Sequence, residues 1–137
     1  MEVPILLLAD YANVDAAGKL NILGAFNRIF FKKLPGKHQL MYLVMRIVAG
    51  LGEFDQERVL KVILFDEDGG TVWGTPEVSF IIKPPPGGGS GQFDPIIGIQ
   101  DMEFKKPGRY EFRVFINGES KGFIPVDIVL MEPPSES

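Results

Sequence analysis

The chain has 137 residues, a length that suits a single domain. It contains no cysteine, which excludes disulfides, thiolate metal sites and a cysteine nucleophile. Its formal net charge is −4, and its densest basic group, Lys32, Lys33, Lys37 and His38, is too small for a phosphate-binding face. We therefore expect no nucleic-acid partner.

The N-terminal segment predicts a cytoplasmic protein. Met1-Glu2-Val3-Pro4 carries an acid and no basic residue, and the apolar run 5–9 stops at Asp10. That run is shorter than the apolar part of a signal peptide, which needs about 7–15 residues. No stretch approaches the roughly 20 apolar residues of a membrane span, so we expect no membrane partner.

Turn residues between short apolar runs predict an all-β chain. The 16 glycines and 11 prolines fall between these runs, and no window shows helical periodicity longer than a turn or two. Three turn signatures stand out: Asp15–Gly18, Asp66–Gly70 and Asn117-Gly118. The last is the strongest short hairpin signal in the chain.

The first hairpin joins residues 4–14 to residues 19–26. Pairing outward from Val14 opposite Lys19 predicts a core face that contains Leu7, Tyr11, Asn13, Leu20, Ile22 and Phe26. The opposite face then carries Asp10, Lys19 and Asn21. We interpret these three residues as a structural polar cluster, since a buried carboxylate must be paired or hydrogen-bonded.

The middle of the chain continues the strand pattern. Residues 27–33 either extend the first sheet or cross to the next one. In the strand 38–49, Met41, Leu43, Met45 and Ile47 share one face, while Leu40, Tyr42, Val44 and Arg46 share the other. A strand at 57–65 follows, and Pro76 divides the next segment into 71–75 and 77–83.

The last third contains a loop and a closing hairpin. Residues 84–94 begin with three prolines followed by three glycines, which predicts a flexible surface loop. Strands at 108–116 and 122–131 complete the fold. We predict one antiparallel β-sandwich of about eight strands over residues 1–131, immunoglobulin-like or related, with a disordered tail at 132–137.

The first hairpin also resembles a known family. Asp10-Tyr11-Ala12, the turn Asp15–Gly18, Lys19-Leu20-Asn21-Ile22 and Gly24-Ala25-Phe26 are similar to the opening of a family of small bacterial proteins that is classed as a domain of unknown function. Segments 64–69 and 107–112 look similar as well. The resemblance implies no activity, cofactor or site residue.

No catalytic, cofactor-binding or metal-binding residues stand out in the sequence. His38 is the only histidine, and we interpret it as a solvated loop residue. The acidic groups 53–57 and 66–68 lie at opposite ends of one strand, so they form no joint Ca²⁺ site. Residues 87–91 lack the lysine of a phosphate-binding loop. We therefore expect no cofactor and no enzyme.

An excess of apolar residues remains on strand faces that normally contact water. It is covered either within the chain or by a second copy, in which case Leu40, Tyr42, Val44 and Phe115 would be the interface anchors. The leading hypothesis is a non-enzymatic interaction or assembly module that forms a homo-oligomer or binds another protein. The alternatives are a small-ligand binder, for example of a carbohydrate, that uses Trp73 and Phe93, and a hydrolase centred on Asp10.

Overall fold

Short hydrogen-bonded strands account for nearly all of the regular structure. The computed structural model describes residues 1–131, and these residues form eleven strands and no helix. The strands are β1 (Glu2–Val14), β2 (Leu20–Phe26), β3 (Arg28–Phe31), β4 (Gly36–Ala49), β5 (Arg58–Phe65), β6 (Thr71–Gly74), β7 (Val78–Phe80), β8 (Gly91–Phe93), β9 (Ile96–Phe104), β10 (Gly108–Ile116) and β11 (Glu119–Leu130). The predicted tail, 132–137, lies outside the described residues.

The strands form two sheets that pack face to face. The first sheet has the order β2-β1-β4, with β8 and β9 both pairing with β4. The second has the order β3-β11-β10-β5, with β6 and β7 both pairing with β5. All pairs are antiparallel except β3 with β11, which run parallel. The predicted β-sandwich is confirmed, and the strand order is that of an immunoglobulin-like fold with an additional N-terminal hairpin.

A tyrosine corner supports this assignment. Tyr110 lies near the start of β10 and is only 3% exposed. Its hydroxyl donates a hydrogen bond of 2.7 Å to the carbonyl of Lys106, four residues upstream. Immunoglobulin-like sandwiches use the same arrangement to fix the connection that precedes the corresponding strand.

The core lies between the inner faces of the two sheets. Met41, Leu43, Met45 and Ile47 of β4 are fully buried, so the face that these residues were predicted to share is the core face of the strand. They belong to one cluster with the buried apolar side chains of β5 and β10, including Leu64, Phe112 and Val114. A continuous apolar interior of this kind needs no disulfide or metal to stabilise it.

The predicted turns are confirmed. Gly18 and Gly69 adopt φ values of +78° and +81°, the left-handed conformation that glycine allows. Asn117 and Gly118 both have positive φ, as a two-residue hairpin turn of the favoured type requires. These local signals therefore determine where the chain reverses.

The predicted register of the first hairpin is wrong by one residue. Val14 lies opposite Leu20, not Lys19. The Asp15 amide donates a hydrogen bond of 2.9 Å to the Lys19 carbonyl, and this bond makes Lys19 part of the loop. A shift of one residue moves every side chain to the other face of a strand. Leu8 is consequently buried opposite Phe26, whereas Tyr11 and Asn13 are exposed.

The structure has eleven strands where the sequence predicts about eight, and two of the additional strands lie in segments whose structure the sequence leaves open or predicts as loop. After Asn27 the chain crosses to the second sheet, where 28–31 form β3, so the crossover alternative for 27–33 is confirmed. Residues 91–93, expected within the flexible loop, form β8 against β4. A Cβ atom at Gly91 would lie 2.8 Å from Ile82 and 2.9 Å from Phe54, so this glycine belongs to a packed element.

In strand β9, the set of positions that face the interior changes at Asp101. Ile99 is buried, and the next buried residues are Met102 and Phe104, so the alternation of buried and exposed positions shifts between 99 and 102. Asp101 has a φ of +53°, which places its backbone in the left-handed region. As a result, the consecutive residues Gln100 and Asp101 are both exposed.

Candidate functional site

The first hairpin projects from the sandwich as an arm, which comprises residues 10–24. β1 pairs with β4 only as far as Ala9, which lies opposite Tyr42, and beyond that residue it pairs with β2 alone. β2 packs mainly against β1 and forms an edge of the first sheet. A two-stranded hairpin without further cover is marginally stable in water. The arm therefore has one unpaired edge along β2, and most of its side chains are exposed, whereas Ala12 and Leu20 pack against Val44 of β4.

The polar cluster predicted from Asp10, Lys19 and Asn21 does not form. Asn21 donates to the Asp15 carboxylate at 3.2 Å, while Asp10 lies on the other face of the hairpin, against Gly24. The register shift is the reason, because it separates Asp10 from Asn21. The hydrogen bonds from the Lys19 amide and from Asn21 hold the pKa of Asp15 below its usual value.

An apolar surface extends from the arm onto β4. We call it the arm patch, and it consists of Tyr11, Leu23, Leu40 and Tyr42. Tyr11 lies opposite Leu23, and its ring meets the Tyr42 ring edge-on with centroids 6.0 Å apart. Leu23 is 68% exposed, Tyr11 49% and Leu40 44%. An exposed group of large apolar side chains of this kind is characteristic of an interaction surface.

The four predicted interface anchors do not lie together. Leu40 and Tyr42 belong to the arm patch, but Val44 is fully buried beside Ala9 and Ala12, so it is not available to a partner. Phe115 lies on β10, on the outer face of the second sheet, opposite Lys61 and Ser120. Sequence reasoning missed Tyr11 and Leu23 because the wrong register assigned Tyr11 to the core.

His38 is part of a strand and not of a solvated loop. It lies on β4 opposite Met102, with its ring 5.9 Å from that of Phe26. Its Nε2 atom is buried and has no hydrogen-bond partner within the described residues. A groove of about 370 Å³ between the arm and β3 is lined by His38, Asp10 and Arg28 among others. The lining contains no serine, threonine or cysteine that would serve a hydrolase as nucleophile.

The acidic groups considered for a cation are engaged in local contacts. Glu53 accepts hydrogen bonds from the Met1 amino group and the Gly50 amide, and these contacts lower its pKa. Asp66 accepts from the amides of Asp68 and Gly70 and closes its own turn. Within residues 1–131, no three histidine, cysteine or acidic side chains form a group that would hold a metal ion.

A cleft opens along the opposite side of the sandwich, between β6 and β9. We call it the seam cleft; its volume is about 500 Å³. The side chain of Trp73 packs edge-on against Phe112 at 6.0 Å and forms one wall. The other lining residues are Asp66, Thr71, Val72, Gln100, Asp101, Met102, Glu103, Lys105, Lys106 and Tyr110.

Trp73 and Phe93, predicted to act together in ligand binding, lie apart. Trp73 pairs with Leu64 of β5, whereas Phe93 stacks on Phe80, which lies opposite Arg58 of the same strand. Six residues of β5 separate the two positions, or about 20 Å. Of these two aromatic residues, only Trp73 therefore lines the seam cleft.

An exposed ion pair lies at the rim of the seam cleft. Lys106 contacts Asp68 at 3.4 Å, and this contact raises the pKa of Lys106. Burial raises the pKa of Tyr110, whose hydroxyl is bonded to the Lys106 carbonyl. Both groups keep their ordinary protonation state at neutral pH, Lys106 as a cation and Tyr110 as a neutral phenol.

Among residues 1–131 there is no helix of the length and apolar character that crossing a bilayer requires. None of the curated proteins compared with the chain matches it.

Seven chains of solved structures match this fold. One is the Pseudomonas fluorescens alkylpurine DNA glycosylase AlkC, bound to DNA containing an abasic site analog. The TM-score is 0.52 with 14% sequence identity, and the match covers 93% of this chain but 30% of the glycosylase. At this identity the similarity shows a shared fold alone.

The family comparison covers almost the whole sandwich. The model of a family of unknown function, DUF6941, matches residues 4–129, from within β1 to within β11. This agrees with the resemblance to a small domain family that the first hairpin indicates. The chain belongs to the DUF6941 family.

Proposed function

We propose that the protein is a non-enzymatic assembly module that self-associates through the arm patch. The single observation that carries this proposal is the position of the patch on the arm, whose strand β2 is an edge strand that pairs with β1 alone. Tyr11 and Leu23 are both exposed there, and the adjacent Leu40 extends the apolar surface onto the main sheet. A docked partner would supply the missing cover.

The energy available from this contact is substantial. Full burial of a leucine side chain is worth roughly 1.5–3 kcal/mol. Leu23 alone is 68% exposed, so its burial would return more than half of that amount. Tyr11 and Leu40 add comparable exposed area. Large aromatic and aliphatic side chains at the centre of a contact typically dominate the binding energy.

A second copy of the same chain is the partner that the charge distribution favours. The chain carries a net charge of −4, so two copies repel each other on average, and contact is least opposed where charges are absent. Strand β2, by contrast, contains no charged residue over Leu20–Phe26. Two copies related by a two-fold axis present the same patch to each other, which a self-complementary apolar surface allows.

Two further expectations belong to the proposal. The protein acts in the cytoplasm, which fractionation of cells that express a tagged chain would check. It also binds neither nucleic acid nor membranes, because its acidic net charge gives no electrostatic attraction to phosphate groups. A salt-dependent shift of a labelled DNA duplex would contradict the second expectation.

The proposal is tested by light scattering after size exclusion. We expect the mass of the unaltered chain to rise above 15.2 kDa towards twice that value at high micromolar concentration. Leu23→Lys places a charge in the patch and should keep the chain monomeric. The matched control is Leu51→Lys, because Leu51 is 96% exposed in a loop and the change should leave the mass unaltered.

The opposite face of the sandwich supplies a second control. Phe123, on the outer face of the second sheet, is 57% exposed and packs against the Arg113 guanidinium. Phe123→Lys should leave the oligomer intact. A strict monomer at every concentration, or dissociation by Phe123→Lys and not by Leu23→Lys, would refute association through the arm patch.

A further inference from the structure

We propose that the seam cleft binds a neutral sugar of one or two rings. This inference is independent of self-association, because the seam cleft lies between β6 and β9 and none of its lining residues belongs to the arm patch; the two surfaces adjoin where Leu40 lies opposite Gln100. It is supported by the shape of the cleft, the kink in β9, the presence of both acidic and basic groups on its rim and the tryptophan in its wall.

The size of the seam cleft fits a small ligand. Its volume of about 500 Å³ lies within the range of about 300–1,000 Å³ that small-molecule sites occupy. Met102 and Tyr110, which line it, are almost fully buried, so its base belongs to the packed core. A base of this kind is preformed and does not require an ordering step before binding.

The kink at Asp101 brings polar side chains to the rim. In a regular strand, Gln100 and Asp101 would point to opposite faces, and one of them would be buried. The left-handed backbone of Asp101 leaves both exposed, and both line the cleft together with Glu103. Irregularities that redirect side chains in this way are common beside binding sites.

The charges on the rim favour a ligand without net charge. Three carboxylates, those of Asp66, Asp101 and Glu103, share the lining with the ammonium groups of Lys105 and Lys106. The carboxylates would repel an anion, and the lysines would repel a cation. A sugar hydroxyl both donates and accepts hydrogen bonds, so it can use both kinds of group, and the amide of Gln100 and the hydroxyl of Thr71 add further partners.

Trp73 supplies the apolar surface that sugar recognition needs. Its indole ring is held by the edge-on contact with Phe112 and is half-buried, so the side chain is fixed before a ligand arrives. Sugar rings have a face of C–H groups that packs on a flat aromatic side chain, while the hydroxyls at the ring edge remain free for the polar rim. The seam cleft combines these two requirements.

The experiment uses Trp73 as the reporter, because it is the only tryptophan in the chain. Its fluorescence is followed during titration with glucose, galactose, mannose, N-acetylglucosamine and their disaccharides. Glucuronic acid and glucosamine serve as charged counterparts. We expect a saturable change with at least one neutral sugar and a weaker response to its charged counterparts.

Two variants locate the binding site. Asp101→Asn keeps a side chain that tolerates the left-handed backbone but removes the charge. We expect it to raise the dissociation constant by about tenfold, since a hydrogen bond to a charged acceptor is replaced by one to a neutral acceptor. Glu119→Gln, at an exposed acid on β11 outside the cleft, should leave the constant unchanged. Thermal unfolding of both variants should match that of the unaltered chain.

Three results would overturn the proposal. The first is the absence of a saturable response to every neutral sugar of the panel. The second is a response that is stronger for the charged counterparts. The third is an equal change in affinity for Asp101→Asn and Glu119→Gln, which would place the bound sugar outside the seam cleft.

Discussion

The hydroxyl of Tyr110 offers a sharp test of how the sandwich is fixed. Tyr110→Phe removes one oxygen atom and leaves the ring in its edge-on contact with Phe104, at 5.2 Å. The lost bond to the Lys106 carbonyl is 2.7 Å long and its donor is largely buried. A hydrogen bond of this kind contributes about 0.5–1.5 kcal/mol net, and an acceptor left without its donor adds to the loss. We expect a loss of about 1.5 kcal/mol.

The expected change in melting temperature follows from the length of the chain. Unfolding entropy is about 2.1 cal/mol/K per residue near the transition, or about 0.29 kcal/mol/K for 137 residues. A loss of about 1.5 kcal/mol therefore lowers the melting temperature by about 5 °C. Urea unfolding followed by the fluorescence of Trp73 provides the free energy, and circular dichroism provides the melting temperature.

Tyr42→Phe is the matched control, because it removes the same atom from a half-buried tyrosine and leaves the tyrosine corner intact. We expect its unfolding free energy to stay within about 0.5 kcal/mol of the unaltered chain. Because Tyr42 belongs to the arm patch and association stabilises the folded state, both variants are compared at a concentration low enough for the chain to be monomeric. Equal effects of the two variants, or no effect of Tyr110→Phe, would refute the role assigned to the corner.

Two further predictions concern packing and pH. Gly91→Ala should lower the unfolding free energy by about 1–3 kcal/mol, because the new methyl group would lie 2.8 Å from Ile82. Gly122→Ala, whose methyl group would lie 3.7 Å from its nearest neighbour, should change it by less than about 0.5 kcal/mol in urea unfolding, and similar losses for both would contradict the packing argument. Glu53 has a lowered pKa in the folded chain, so its contact with Met1 stabilises the fold above about pH 4.5 and is lost as the pH falls through the lowered value. Glu53→Gln should therefore flatten the loss of stability on acidification, measured by urea unfolding between about pH 7 and pH 3, and an unchanged pH profile would contradict this assignment.

Local signals in the sequence predicted the architecture well. The three turn signatures all lie at chain reversals, because their φ values are set by the glycine or asparagine itself. The alternation along β4 placed Met41, Leu43, Met45 and Ile47 on one face, and all four are buried, since a strand presents every second residue to the interior. These features depend on neighbouring residues alone.

The candidate site was predicted less well, because its features depend on pairing between distant segments. One hydrogen bond between Asp15 and Lys19 lengthens the first loop by a residue and moves Tyr11 from the predicted core to the surface. The kink at Asp101 leaves no signal in the sequence, as aspartate is common in ordinary loops. Val44 is buried by residues of its own chain, whereas Leu40 on the same face of β4 is exposed. This difference likewise becomes visible only in the folded structure.

Cross-linking through a single introduced cysteine tests self-association through the arm patch most directly. The chain contains no cysteine, so Leu23→Cys, Leu51→Cys and Phe123→Cys each carry one thiol. We expect a short bismaleimide linker to join two Leu23→Cys chains rapidly at micromolar concentration, and to join the other two variants only slowly. Equal rates for the three positions, or faster coupling through Phe123→Cys, would contradict the proposed interface.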